Sequence, residues 1–146
     1  MTIIERIKGL ILNRELVSYV VVGVLTTLVN FVFFTWVNEY VKGLGFGVSF
    51  ASKAAYVTAF VAAVIFAYWA NKLVVFKNFK MSPGYLFKEF AGFMSARIIS
   101  GVITFILMAV CVDIIKMNEY LAWLLTSAFN LIFNYVASKF YIFKKS

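Results

Sequence analysis

This 146-residue chain reads as an all-α integral membrane protein with four transmembrane helices, built as two parallel two-helix repeats with N and C termini cytoplasmic. Three observations predict that fold: the length of the apolar runs, an internal repeat, and the placement of the basic residues. With 64% hydrophobic and 14% charged residues, the chain carries more apolar side chain than a soluble core of this size encloses. Runs of about 20 mostly apolar residues, the length a spanning helix needs, cover about 17–37, 51–74, 90–112 and 120–140. Spans of a β-barrel would be about 10 residues long with strict alternation, which this sequence lacks. Residues 1–146 are therefore expected to form a single membrane domain.

The repeat lies in the second and fourth runs. Ile65 to Asn78 reads IFAYWANKLVVFKN and Ile132 to Lys145 reads IFNYVASKFYIFKK, matching without a gap at a constant offset of 67 residues. Each copy closes an apolar run and ends in lysine, so both hairpins start and finish on one side, as a parallel repeat about an axis along the membrane normal does. A weaker match, at an offset of 74, pairs Glu15 with Glu89 and Phe31 with Phe105.

The 14 basic residues outnumber the 6 acidic ones, and their placement points to topology rather than to nucleic acid. Arg6, Lys8 and Arg14 precede the first span. Lys72, Lys77, Lys80 and Lys88 sit between the second and third, and Lys139, Lys144 and Lys145 end the chain. The other side has Lys42, Lys53 and Lys116, balanced by Glu39, Asp113 and Glu119. The positive-inside bias then puts both termini and the middle loop in the cytoplasm, where lysines also meet anionic lipid headgroups.

Residues 1–14 place Ile3, Ile4, Ile7, Leu10 and Ile11 at helical spacing among charged neighbours, as in a short helix lying in the interface. Glu5 interrupts the start and the first apolar run continues into a full span, so no cleavable leader is expected. The middle loop carries the only proline, in Met81-Ser82-Pro83-Gly84, and Gly43, Gly45 and Gly47 loosen the first outer loop. The aromatics Tyr68, Trp69, Phe76, Tyr135, Tyr141 and Phe143 are expected to form an interfacial belt.

Several chemistries are excluded by what the sequence lacks. One cysteine and no histidine leave no disulfide, metal-ligand cluster or Cys/His nucleophile pair. No Walker loop and no paired intramembrane carboxylates occur, so neither ATP hydrolysis nor a carboxylate proton relay in the membrane is expected, and the chain is not read as an enzyme or as needing a cofactor.

Arg97 is the sharpest functional signal. It lies some seven residues inside the third run, about 10 Å below the boundary. A charged guanidinium there costs a few kcal/mol on insertion scales and calls for a partner or a wet cavity. Snorkelling is the alternative. Ser100 and Thr104 follow at helical spacing, and no acidic residue lies at matching depth, so an anionic ligand is the expected counter-charge; the planar fork suits phosphate. On the fourth run, Ala122, Thr126, Asn130, Asn134 and Ser138 recur every four residues, and under the repeat they align with Ala55, Ala59, Ala63, Ala67 and Asn71 of the second. The alanine ladder permits close backbone approach. Asn130 and Asn134 either bond across helices or contact a ligand. Asn71, Lys72 and Lys139 close their helices, where lysine also complements the carbonyl end of the dipole; Asn30 completes the intramembrane polar set.

The sequence resembles the GtrA-like family of small four-helix bacterial membrane proteins. The resemblance rests on Tyr19-Val20-Val21-Val22-Gly23 with Thr27 and Asn30-Phe31, on Phe66-Ala67-Tyr68-Trp69-Ala70-Asn71-Lys72 with Val75-Phe76, on Phe93 with Arg97, and on Phe133-Asn134-Tyr135 with Lys139-Phe140 and Phe143. What it implies is flipping of a polyprenyl-phosphate-linked sugar, such as undecaprenyl-phosphate glucose, across the bacterial cytoplasmic membrane for O-antigen or teichoic acid glycosylation. Lys72 departs from the family, in which arginine often follows the asparagine; the charge stays but the bidentate fork is lost. Under this reading Arg97, Asn71, Lys72 and Lys139 hold the phosphate. Asn30, Thr104, Asn130 and Asn134 line the sugar's path, with Ala67, Phe76 and Phe93 packed near the site. Four helices form a thin wall, so a homo-oligomer is expected, surrounded by membrane lipid. The alternatives are a non-transporting subunit that recruits or stabilises a polyprenyl-phosphate glycosyltransferase, and a small-solute exporter.

Overall fold

The computed structural model describes residues 2–11 and 13–144, with the backbone alone for Ile7, Leu10 and Ile11. The apolar face expected at those three positions, and Lys145 at the end of the repeat, lie outside the described side chains. Helix α1 spans Ile3–Ile11 and α2 spans Arg14–Gly43, begun by Asn13, whose Oδ1 accepts from the Glu15 N–H at 3.0 Å. Gly45, at φ +94°, lies in the turn that follows, a conformation that an L side chain rarely adopts. Helix α3 covers Val48–Ala70, α4 Pro83–Ala109 and α5 Glu119–Ala137, and each passes directly into one π turn, at Asn71–Val75, Val110–Ile114 and Ser138–Ile142 respectively. Among the described residues, four helices are long and apolar enough to cross a membrane: Arg14–Gly43, Val48–Val75, Pro83–Ile114 and Glu119–Ile142.

The helices outrun the apolar segments that announce them. The third is 32 residues, about 48 Å at 1.5 Å per residue, against a hydrocarbon core of about 30 Å. Pro83 serves as its first residue, a position that needs no N–H and suits the fixed φ of proline. The segment Tyr85–Glu89, which precedes the third apolar run, is therefore helical.

The chain divides into two compact units, Met1–Lys77 and Asn78–Ser146. In the first, α2 packs along α3, and the following π turn packs against α2. Ala51, Ala55, Ala59, Ala63 and Ala67 form a continuous buried row that Asn71 and Val75 extend. A second buried row, Val64, Tyr68, Lys72 and Phe76, lies beside it. In the second unit α4 packs along α5, and Ala122, Thr126, Asn134 and Ser138 are buried on α5 and its π turn.

Local structure recurs at the spacing of the sequence repeat. The π turn at Asn71–Val75 reappears at Ser138–Ile142. Phe76 N–H donates to Asn71 O at 2.9 Å, and Phe143 N–H to Ser138 O at 2.8 Å. Each phenylalanine packs its ring at an interplanar angle of 54° on an aromatic of the preceding helix in its own unit: Phe76 on Tyr19 with centroids 6.3 Å apart, Phe143 on Phe93 at 5.9 Å. The sequence reading of these aromatics as a belt needs correction. Tyr68, Phe76 and Phe143 are buried packing residues, whereas Trp69 and Tyr141 remain exposed. The last helical turn carries two buried rows, so aromatics there pack inward rather than mark the headgroup level.

Replacing Ala59, which is buried, with leucine overpacks the stripe and lowers stability by about 1–3 kcal/mol. The same gain in size at exposed Val57 (Val57→Leu) changes it by less than about 0.5 kcal/mol. Unfolding in detergent micelles, followed by circular dichroism, distinguishes the two.

Candidate functional site

Polar side chains inside an apolar helix need a hydrogen-bond partner that lipid cannot supply. The chain solves this locally for most hydroxyls. Ser18, Thr26, Thr27, Thr58, Ser95 and Thr126 each donate to the carbonyl four residues back, at 2.7 to 3.1 Å. Thr104 does not. Its Oγ1 is enclosed and has no hydrogen-bond partner among the described residues.

Thr104 belongs to the most polar face of the second unit. Glu89, Phe93 and Arg97 follow one another at four-residue spacing on α4, and Ser100 and Thr104 continue the face. Glu89 is 4% exposed, so an acidic side chain lies two turns before Arg97 on the same helix. Eight residues are about 12 Å of helix, so Glu89 does not lie at the depth of Arg97. The sequence did not show Glu89 as enclosed because the apolar run starts later than the helix does. Pro83 to Arg97 is about 21 Å of helix, which puts Arg97 close to the middle of the helix Pro83–Ile114. The guanidinium carbon stands 4.8 Å from the Phe93 ring centroid, a cation–π arrangement, and Arg97 is half-buried.

Across from this face, Asn134 of α5 is buried and ties the two helices together. Its Nδ2 donates to Ser100 Oγ at 2.9 Å, to Asn130 O at 2.9 Å and to Asn130 Oδ1 at 2.6 Å. Two protons serve three acceptors, so the group is fully engaged. Of the two roles open to these asparagines, the geometry shows a bond between helices for Asn134, whereas Asn130 supports it from within α5. Ser100 turns its own hydroxyl to Arg97 O at 3.0 Å, which links the asparagine pair to the backbone at the arginine. Lys139, in the π turn after α5, is half-buried with Nζ 3.4 Å from Tyr135 Oη and 5.6 Å from its ring centroid. That turn packs against α4.

An apolar groove of about 450 Å³ runs along this unit, lined by Gly92, Ser95, Ala96 and Ile99 of α4 and by Phe133 and Ala137 of α5, with Tyr85, Lys88 and Glu89 at one end. Small residues leave the space open. A second apolar hollow of about 410 Å³ lies along Phe129, Phe133, Ala137 and Tyr141.

In the first unit, Asn71 and Lys72 occupy the π turn after α3, at 1% and 0% exposure. Lys72 is thus enclosed rather than turned to the headgroups, because it continues the buried row of Val64 and Tyr68 at four-residue spacing. Asn71 Nδ2 donates to Ala67 O at 2.7 Å, while its Oδ1 has no hydrogen-bond partner among the described residues. An enclosed acceptor left unmatched costs about 1–3 kcal/mol. Ala67 is fully buried beneath it. Asn30 is half-buried on α2.

Sequence reasoning missed Asn78. Its Nδ2 donates to Tyr85 Oη at 2.9 Å and to Phe143 O at 3.4 Å, and its Oδ1 accepts from Lys80 N–H at 3.1 Å. It fastens the start of the second unit to the end of α5's π turn. The signal was available: an asparagine whose side chain caps the N–H two residues on is a common turn device.

Residues 18–143 match the GtrA/DPMS transmembrane domain. The chain belongs to this family. It is a multi-pass GtrA-like membrane protein, 38% identical over 128 residues to the uncharacterized membrane protein YwcD of Bacillus subtilis, covering 88% of this chain and 95% of that one. It is 31% identical over 131 residues to the cell wall teichoic acid glycosylation protein GtcA of Listeria monocytogenes serovar 1/2a, and 32% identical to GtcA of Listeria innocua, covering in each case 90% of this chain and 86% of the relative. No solved structure matches it. In this GtrA-like protein the match spans the three described π turns and the whole Glu89–Thr104 face.

In a double-mutant cycle, Asn134→Ala and Ser100→Ala are expected to couple by about 0.6 kcal/mol, and by no more than about 1.7, the range for hydrogen bonds between membrane helices. Unfolding of the four variants in mixed micelles measures it.

Proposed function

We propose that this protein carries a polyprenyl-phosphate-linked monosaccharide from the cytoplasmic to the outer leaflet of the bacterial cytoplasmic membrane, in support of cell-wall polymer glycosylation. The observation that carries the reading is Arg97: a permanent cation held at mid-helix over Phe93, on a face that continues through Ser100 to Thr104. A phosphodiester presents two oxygens that suit the guanidinium fork. Lys139 adds a second cation in the same unit, on the turn that packs against α4. In the first unit the corresponding cation is Lys72.

The GtcA relatives, named for teichoic acid glycosylation, supply the biological setting. Sugars added to polymers outside the membrane need an activated donor there, and a prenyl carrier meets that need only if its charged head crosses the apolar core. The task demands a polar stripe for the head and an apolar exterior for the tail. This chain has both: the Arg97–Thr104 face, and long exposed apolar surfaces such as Val24, Leu28, Val102 and Ile106. The groove beside α4 offers the tail a wall at its head-proximal end. Both termini and the middle loop are then cytoplasmic, in line with the clustered lysines, and a homo-oligomer completes the wall of the path. No step in this role makes or breaks a covalent bond.

In cells that depend on this protein for polymer glycosylation, Arg97→Ala should remove at least about 90% of the sugar on the wall polymer. Arg97→Lys, keeping charge without the fork, should retain an intermediate level. Sugar analysis of purified polymer, with immunoblots confirming equal membrane levels, checks both. Full glycosylation with Arg97→Ala would remove the central support. Glycosylation lost only together with a copurifying glycosyltransferase would favour a recruiting subunit instead.

A further inference from the structure

The enclosed oxygen of Asn71 constrains what that residue can recognise. Asn71 is 1% exposed, its amide donates to Ala67 O, and its Oδ1 is left with no hydrogen-bond donor among the described residues. A carbonyl oxygen of this kind needs a proton from its partner. A phosphodiester has none to give, so phosphate leaves the Oδ1 unmatched and brings negative charge toward it. A sugar hydroxyl donates one proton and still accepts from the remaining amide N–H, matching both ends of the side chain. The π turn helps to hold the group in place: Phe76 N–H bonds to Asn71 O at 2.9 Å, and the Phe76 ring packs on Tyr19. Turns of this type often mark functional positions in helices.

We infer that Asn71 is a specificity-determining residue that accepts a hydrogen bond from a hydroxyl of the carried monosaccharide, and that it does not belong to the phosphate-holding set. The inference rests on the carrier reading and assigns the sugar, as opposed to the phosphate, to this turn. It also supplies a reason for asparagine here: the wholly buried side chain keeps an acceptor whose partner arrives with the ligand. Leucine, of similar volume, removes the acceptor while preserving the packing.

The experiment measures binding of undecaprenyl-phosphate glucose and of undecaprenyl phosphate to the purified full-length protein in nanodiscs, for wild type and Asn71→Leu. The expected result is a loss of about tenfold or more for the glycosylated lipid, with bare lipid phosphate within about twofold of wild type. Monodeoxy-glucose versions of the lipid give a test on the wild-type fold. One of them should bind wild type about tenfold more weakly, and Asn71→Leu should not distinguish it from the parent. Equal losses for both lipids would return Asn71 to the phosphate or to the fold and overturn the inference, leaving the carrier reading in place. No loss for either, as when the oxygen merely holds a buried water, would also overturn it. Failure of the wild type to bind either lipid would overturn the carrier reading and the inference with it.

Discussion

Hydrocarbon accepts no hydrogen bonds and offers no counter-ions, so every polar atom that this chain carries into a span must find its partner within the protein or in a ligand. Most find it one turn away. Hydroxyls return to the carbonyl four residues back, and Asn118 caps α5 by accepting from Tyr120 N–H at 2.9 Å. Asn134 spends its amide on Ser100 and Asn130, which fixes α5 against α4 with a polar bond where lipid gives no hydrophobic drive for helices to associate. The alanine row of α3 is the apolar counterpart, burying small side chains that permit close backbone approach.

Against that background the exceptions stand out. Thr104 and Asn71 keep enclosed oxygens that no described residue hydrogen-bonds. On the carrier reading proposed above, these are oxygens that the hydroxyls of a headgroup would meet.

The sequence disclosed the four spans because run length and composition decide membrane helices almost alone. It disclosed the buried rows because a spacing of four is one helix face. Helix ends were less legible. Helical structure propagates beyond the apolar run into Tyr85–Glu89, and with it Glu89 becomes an enclosed residue on Arg97's own face. The enclosure of Lys72 was hidden for a related reason: its chemistry points to water, while its register, four residues after Tyr68, points inward. The bond from Asn134 to Ser100 depends on how far α5 slides along α4, which no single-helix periodicity encodes. The π turns were likewise invisible as turns, although the repeat of IFxYxxxK at both helix ends marked their position.

The measurement that bears most directly on this account is translocation by the purified wild-type protein alone. Undecaprenyl-phosphate glucose would be placed in both leaflets of sealed proteoliposomes, and its accessibility to an impermeant reagent that oxidises sugar diols would be followed over time. The account predicts that the inner-leaflet fraction becomes reactive within minutes in vesicles holding the protein, and stays protected in protein-free vesicles that are equally sealed. Protection that persists equally in both, with the protein folded and inserted, would contradict it.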